Sequence, residues 1–331
     1  MNQTSQNSQI ITGPWKTIPG IHQNSYEAMA TVFEIYIIHE DTRYAQQAAW
    51  QAFEELNRLE QELSRFTENS DISRINKLSP MQSVRIGLAA FECLEICNTL
   101  YTDTNGAFDI TMGSLVSWWL QEDETLHKPS KNEQHSTLIY SGLDQLELDA
   151  SQHTVQCLTT DVQIDLGGFG KGYALDKMAE LLHDWSIETA LIHGGSSSVL
   201  ALEAPPGTSG WPLTLSNPGN RKQILAHLYL QNRAISGSGL LKGKHIINPH
   251  TRKPAEGKRA AWALTHSAAT SDALSTAFMV MTPEEVNNYC LQNIDVLGII
   301  LPEENKKRAE ILKFGDWIDN LLMPGGFSEL A

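Results

Sequence analysis

Three polar motifs, each placed where a β-type run meets a helical one, constrain this chain more than its bulk composition does. They are Asp165-Leu-Gly-Gly-Phe-Gly-Lys171-Gly, His245-Ile-Ile-Asn-Pro-His250-Thr and Thr270-Ser-Asp272-Ala-Leu-Ser-Thr276. The first reads as a strand entering a helix through a glycine turn. Glycines there let a ligand approach the backbone, and a helix N-terminus favours phosphate. The third sets Asp272 and Thr276 four residues apart, on one face of one helix. A carboxylate beside a hydroxyl suits a hard cation such as Mg²⁺, which usually keeps substrate phosphate oxygens in its shell. The second motif supplies a histidine able to act as a base. Together they point to metal-assisted chemistry on a phosphate-bearing ligand.

Around these motifs the pattern alternates without a regular βαβ period, which predicts an α+β chain. Residues 31–38 read as a strand. Residues 42–63 carry helical spacing at Ala45, Ala48, Ala49, Ala52, Phe53, Leu56, Leu59 and Leu63. A helix cap is expected at Asp71, a second long helix over 87–104, paired strands at 146–148 and 154–157, a strand over 162–166 and a helix over 171–185. Further strands are expected at 188–193, 211–216, 224–230, 259–266 and 295–301, with helices at 271–281 and 283–292. Residues 1–20 read as a disordered lead to one domain over 21–331, and the polar stretch 121–137, with Pro129, as a solvated insert.

Composition narrows the function. A net charge of −15 argues against a nucleic-acid surface. No stretch approaches a membrane span and no secretion signal opens the chain, so a cytoplasmic location is expected. The four cysteines, Cys93, Cys97, Cys157 and Cys290, form no zinc spacing and read as buried thiols. The glycine turn is neither GxGxxG nor a P-loop: Tyr173 stands where a last glycine would fall, and Lys171 is followed by Gly172.

In order and spacing the motifs resemble the ApbE family of FAD:protein FMN transferases. The resemblance begins at Met29-Ala-Thr31 and continues through Leu63-Ser-Arg-Phe66, Ser70-Asp-Ile-Ser-Arg74-Ile-Asn76 and Gly106-Ala-Phe-Asp-Ile-Thr111. It then takes in the glycine turn as far as Asp176, His193-Gly-Gly195, Ala234-Ile-Ser-Gly-Ser238, the His245 motif and Ser271-Asp-Ala-Leu-Ser-Thr-Ala277. It covers about residues 29–281. Departures are specific. Gly168-Phe169-Gly170 stands where Ala-Ile-Ala is common, Ala30 and Arg252 replace glycines, and Asn248 replaces an aspartate. Phe66 holds a position more often Tyr or Trp, and His193-Gly-Gly-Ser-Ser-Ser198 replaces an Ile-Gly-Gly-Glu pattern.

The resemblance implies a two-lobed, T-fold-like single domain with mixed or antiparallel sheets and packed helices. It implies a Mg²⁺-dependent (or Mn²⁺-dependent) enzyme that cleaves FAD, passes FMN to a Ser or Thr hydroxyl of an acceptor flavoprotein and releases AMP. The alternatives are an FAD pyrophosphatase and a non-catalytic flavin-binding protein that kept the fold. By the same resemblance Asp272, Thr276 and the backbone carbonyl of Gly168 are metal ligands. Met29, Phe66, Ala107, Phe108, Asp109, Asp165, Lys171 and Ile246 touch FAD, and His245 is the general base. Taken alone, each residue has an ordinary reading. Asp272 would be a helix N-terminal charge, His245 a satisfied histidine beside a strand, Lys171 an exposed helix lysine, and Phe66 and Phe108 core aromatics. His193 and His250 are left outside the site.

Overall fold

In the computed structural model of the chain, the described residues are 10–12, 18–119, 141–160, 162–240, 245–303, 311–317 and 322–327. The insert expected at 121–137 lies outside them, as does most of the lead. In chain order the elements are β1 (Ile10–Thr12), β2 (Ile21–Ala28), β3 (Thr31–Ile38), α1 (Thr42–Leu63), α2 (Asp71–Ile75), β4 (Ser83–Arg85), α3 (Leu88–Asp103) and α4 (Gly113–Trp119). Next come β5 (Leu146–Asp149), β6 (Thr154–Cys157), α5 (Gly170–Asp184), β7 (Ala190–Gly194), β8 (Ser198–Ala201), β9 (Trp211–Asn217), β10 (Asn220–Leu230) and β11 (Arg233–Gly239). The last are β12 (Ile247–Asn248), β13 (Lys253–Pro254), β14 (Lys258–Thr265), α6 (Ala268–Val280), α7 (Pro283–Gln292), β15 (Leu297–Pro302), β16 (Leu312–Phe314) and β17 (Leu322–Phe327).

The centre is an eight-stranded antiparallel sheet in the order β16-β15-β14-β11-β8-β7-β3-β2. Strand side chains alternate between faces, so each strand serves two cores. On one face Phe33, Ile35, Ile37, Ile192, Leu200 and Ala263 pack against the helices. On the other Leu191, Val199, Ile235, Trp262 and Ile299 meet Trp211, Leu213 and Leu228 of a four-stranded sheet ordered β1-β9-β10-β17. Helix α1 shows why the helical layer forms. Its eight buried residues are the eight that the spacing picks out, and Asp41 caps it by accepting from Arg43 N at 2.8 Å and Tyr44 N at 3.0 Å. Full burial of Leu56 and Leu59 contributes about 2 kcal/mol each.

Four expectations change. Of the lead, residues 10–12 pair with β9, as Ile10↔Leu215 to Thr12↔Leu213. The cap of α2 is Ser70, whose hydroxyl accepts from Ser73 N; Asp71 is the first helical residue. Residues 162–166 form no strand beyond a single parallel bridge between Gln163 and Met112, because their backbone groups bond to the 110–113 segment and to the Asn76 side chain. Gly113 N donates to Gln163 O at 3.0 Å, Asp165 N to Ile110 O at 2.7 Å, and Ile164 N to the Asn76 side chain at 2.6 Å. Helix α6 starts at Ala268 behind the cap Ser267, so Asp272 sits in its second turn rather than at its start.

Candidate functional site

The glycine turn is built by its own polar groups. Asp165 Oδ1 accepts from Gly167 N at 2.8 Å, and Phe169 N and Gly170 N return to Leu166 O at 2.9 and 2.7 Å. Phe169 is fully buried and stacks on Tyr173, which anchors the turn to the core. As the residue preceding α5 it provides no side-chain cap, so the first N–H groups of α5 need other partners. One partner is Asp272. Gly172 N, the third amide of the helix and one position ahead of the Tyr173 N bond to Phe169 O, donates to Asp272 Oδ2 at 3.1 Å.

Helices α5 and α6 can meet there only because residue 172 is glycine: a Cβ would lie 2.1 Å from Ala268 O. The crossing brings the site together. Asp272 is 3% exposed. Its Oδ2 also receives Lys171 Nζ at 3.4 Å, and its Oδ1 receives Ser198 Oγ from β8 at 3.3 Å. One turn on, Thr276 Oγ1 lies 3.1 Å from Ser238 Oγ of β11 and so close to Gly168 that a Cβ there would sit 2.9 Å from it. Gly168, Lys171, Asp272 and Thr276 therefore form one contact network drawn from two distant motifs.

The donors fit a hard cation. Among the described residues no three His, Cys, Asp or Glu cluster as a protein-only metal cage would require. The network instead offers one carboxylate and one threonine hydroxyl, with the backbone of Gly168 packed against that hydroxyl. That sparse oxygen set suits a Mg²⁺ ion completed by substrate phosphate and water. Lys171 places one positive charge beside the carboxylate, its Nζ 3.4 Å from Asp272 Oδ2.

The other expected residues fall into three groups. Asp165 faces Arg65, whose Nε is 3.3 Å from Asp165 Oδ2 and whose guanidinium lies 4.7 Å from the Phe66 ring centroid. Phe66 is 84% exposed, so the reading of it as a core aromatic is wrong and its ring is open for stacking. Met29 and Ala30 form the turn between β2 and β3 with φ of 49° and 56°, the left-handed region. Met29 N donates to Glu60 Oε1 at 2.7 Å, which holds the turn.

In the second group, Ala107 and Phe108 are buried at 4% and 3% exposure, so Phe108 is the core aromatic of the pair. Asp109 is held by Thr111, whose N and Oγ1 donate to Asp109 Oδ1 at 2.8 and 2.6 Å. Burial pushes its carboxyl above the usual range, while Thr111 and His250 pull it back.

The third group is the β12–β13 hairpin. His245 is half-buried at its start, and Ile246 is 6% exposed with its carbonyl accepting from Ala255 N at 2.8 Å. Asn248 closes the tip, its Oδ1 accepting from His250 N at 2.9 Å and Thr251 N at 3.1 Å. Arg252 takes φ of 59°, a conformation glycine adopts more easily. An open cleft of about 190 Å³ lies between this hairpin and α7, lined by Ala107, His250, Met281 and Tyr289 among others.

Ser198, Ser238, Arg65 and Asp176 are absent from the expected site. Each lies inside a quoted motif, but nothing in a serine's or an arginine's spacing says which carboxylate or hydroxyl it will meet across a sheet. The cysteines are buried and free, and burial pushes Cys290 up to about 12, far from a reactive thiolate. Among the described residues no helix is long and apolar enough to cross a membrane.

Fold and site together define an α+β protein in which a carboxylate, serine and threonine hydroxyls and a lysine converge at a glycine turn. The chain belongs to the ApbE family, matched over residues 29–300. A FAD:protein FMN transferase of Buchnera aphidicola subsp. Schizaphis graminum is 28% identical over 206 residues, which span 58% of this chain and 60% of that protein. A FAD:protein FMN transferase of Chlamydia trachomatis serovar D is 28% identical over 250 residues, 71% of this chain and 77% of that protein. In fold the chain matches the flavin transferase ApbE from Vibrio cholerae with a TM-score of 0.78 at 20% identity, covering 89% of this chain and 96% of the other.

Proposed function

We propose that this chain transfers FMN from FAD to a Ser or Thr hydroxyl of an acceptor protein, with Mg²⁺ or Mn²⁺ bound at Gly168, Asp272 and Thr276. The observation that carries the reading is the convergence of those three residues with Lys171 at the crossing of α5 and α6. The bound cation would supply charge neutralisation at the pyrophosphate. Lys171 adds its ammonium to the same oxygens, and the N-terminus of α5 is oriented toward negative charge. Phe66, with Arg65 behind it, offers a face for the isoalloxazine ring. His245 takes the proton of the incoming hydroxyl as its oxygen bonds to the FMN phosphorus. The bridging P–O bond then breaks and AMP leaves. Phosphoryl chemistry of this kind rests on positioning and charge stabilisation, and the site provides both.

The test is incubation of the chain with FAD and MgCl₂, with and without an acceptor bearing a Ser/Thr flavinylation site. The reading expects AMP release coupled to an FMN mass increment on the acceptor. AMP and free FMN at equal rates with or without acceptor, and no increment, would identify a pyrophosphatase instead. No AMP under any condition would sink both.

A further inference from the structure

Helices α5 and α6 exchange carboxylates. Asp272 of α6 accepts from an N-terminal amide of α5, Gly172 N at 3.1 Å. In return Asp176, one turn further along α5, caps α6. Its Oδ1 accepts from Ala268 N at 2.7 Å, and its Oδ2 accepts from Ala269 N at 2.9 Å and from Ser267 Oγ at 2.8 Å. Ser267 Oγ in turn accepts from Thr270 N at 3.2 Å. The first three amides of α6, which no helical carbonyl can reach, are thus all bonded, two of them by a side chain from another helix. The opposite end is held by opposite charge: Lys258 of β14 donates to the carbonyls of Phe278 and Met281. A carboxylate at the N-terminus and an ammonium at the C-terminus both match the helix dipole. Burial pushes the Asp176 carboxyl up, and its three donors hold it toward the ionised form.

We propose that Asp176 is a positioning residue that fixes the rotation and height of α6, and so sets Asp272 and Thr276 against Gly168. The proposal rests on the reading of Asp272 and Thr276 as cation ligands. Asp176 touches no ligand itself. It acts on the residues four and eight places beyond Ala268, through the backbone of one rigid helix. Groups standing behind metal ligands typically govern 10–100-fold in metal affinity.

The test uses the full chain and Asp176→Asn, which keeps the shape and removes the charge. Free Mn²⁺ is followed by its electron paramagnetic resonance signal, and amide hydrogen exchange over residues 268–272 is measured without metal. Expected are a Mn²⁺ dissociation constant raised about tenfold or more and faster exchange at Ala268, Ala269 and Thr270. Equal Mn²⁺ affinity in variant and wild type, or unchanged exchange, overturns the positioning role while leaving the cation site standing. Failure of the wild type to bind Mn²⁺ overturns the cation reading and this proposal with it. Should Asp176→Asn not fold, Ser267→Ala removes one of the three bonds to Asp176. It is expected to shift both readouts in the same direction by less, and no shift in either overturns the role.

Discussion

Replacing His193 by leucine tests the sheet core quantitatively. His193 lies on β7, on the face shared with Leu191 rather than the face that carries Ser198 and Asp272. It is 5% exposed, packs edge-on to Tyr36 with centroids 5.9 Å apart, and its Nε2 has no hydrogen-bond partner. Burial lowers its pKa from 6.5 to about 4. In the unfolded chain it regains its ordinary value, so below pH 6.5 the unfolded state binds a proton that the folded state refuses. The stability contributed by the neutral ring is therefore complete above that pH and is lost as pH falls through about 4. The shift corresponds to about 3 kcal/mol in total, of which about 2 kcal/mol is gone by about pH 5. Urea unfolding of wild type and His193→Leu at about pH 7.5 and about pH 5 gives the difference directly, because the carboxylates common to both cancel. The variant's advantage should grow by about 2 kcal/mol between the two. A difference that does not change with pH would refute the claim that His193 is held neutral by burial.

Two further substitutions separate packing from binding. Gly172→Ala places a methyl against Ala268 O and must push α5 from α6. It should cost about 1–3 kcal/mol in a thermal or urea melt, and an unchanged midpoint would contradict the close crossing. Phe66→Ala removes a ring that is 84% exposed, so stability should move by less than about 0.5 kcal/mol. FAD affinity, followed by flavin fluorescence, should fall about tenfold, or 1.4 kcal/mol; unchanged affinity would remove Phe66 from the flavin site.

Much of the architecture was legible because periodic burial writes itself into the chain. Helix α1 matches its expected bounds and buried face residue for residue, and α7 announces itself by Thr282, Pro283 and Glu285, a capping box with Pro at its first position. What escaped was polar or short. β2, Ile-His-Gln-Asn-Ser-Tyr-Glu-Ala, is an edge strand with one partner and needs few apolar residues. β11, Arg-Ala-Ile-Ser-Gly-Ser-Gly, carries serines and glycines in mid-sheet because Ser238 must reach Ser275 and Thr276. Residues 162–166 misled in the opposite direction: their apolar alternation serves a core, not a ladder. Motif order singled out Asp272, Thr276, Gly168 and Lys171, which the fold brings together at the α5–α6 crossing. The roles of Ser198, Arg65 and Asp176 depend on contacts between segments far apart in sequence, which local spacing does not encode.

The central claim is that one cation-bearing network at the α5–α6 crossing drives FMN transfer while His245 handles the proton. The measurement that tests it most directly is mass spectrometry of an acceptor protein incubated with FAD, Mg²⁺ and either wild type, Asp272→Ala or His245→Ala, with FAD binding titrated in parallel. The account predicts an FMN increment with wild type and none with Asp272→Ala. With His245→Ala it predicts transfer slowed by about 10²–10⁴-fold at undiminished FAD affinity. Transfer by Asp272→Ala at the wild-type rate in EDTA would contradict the cation network. Wild-type transfer by His245→Ala would place the proton acceptor elsewhere.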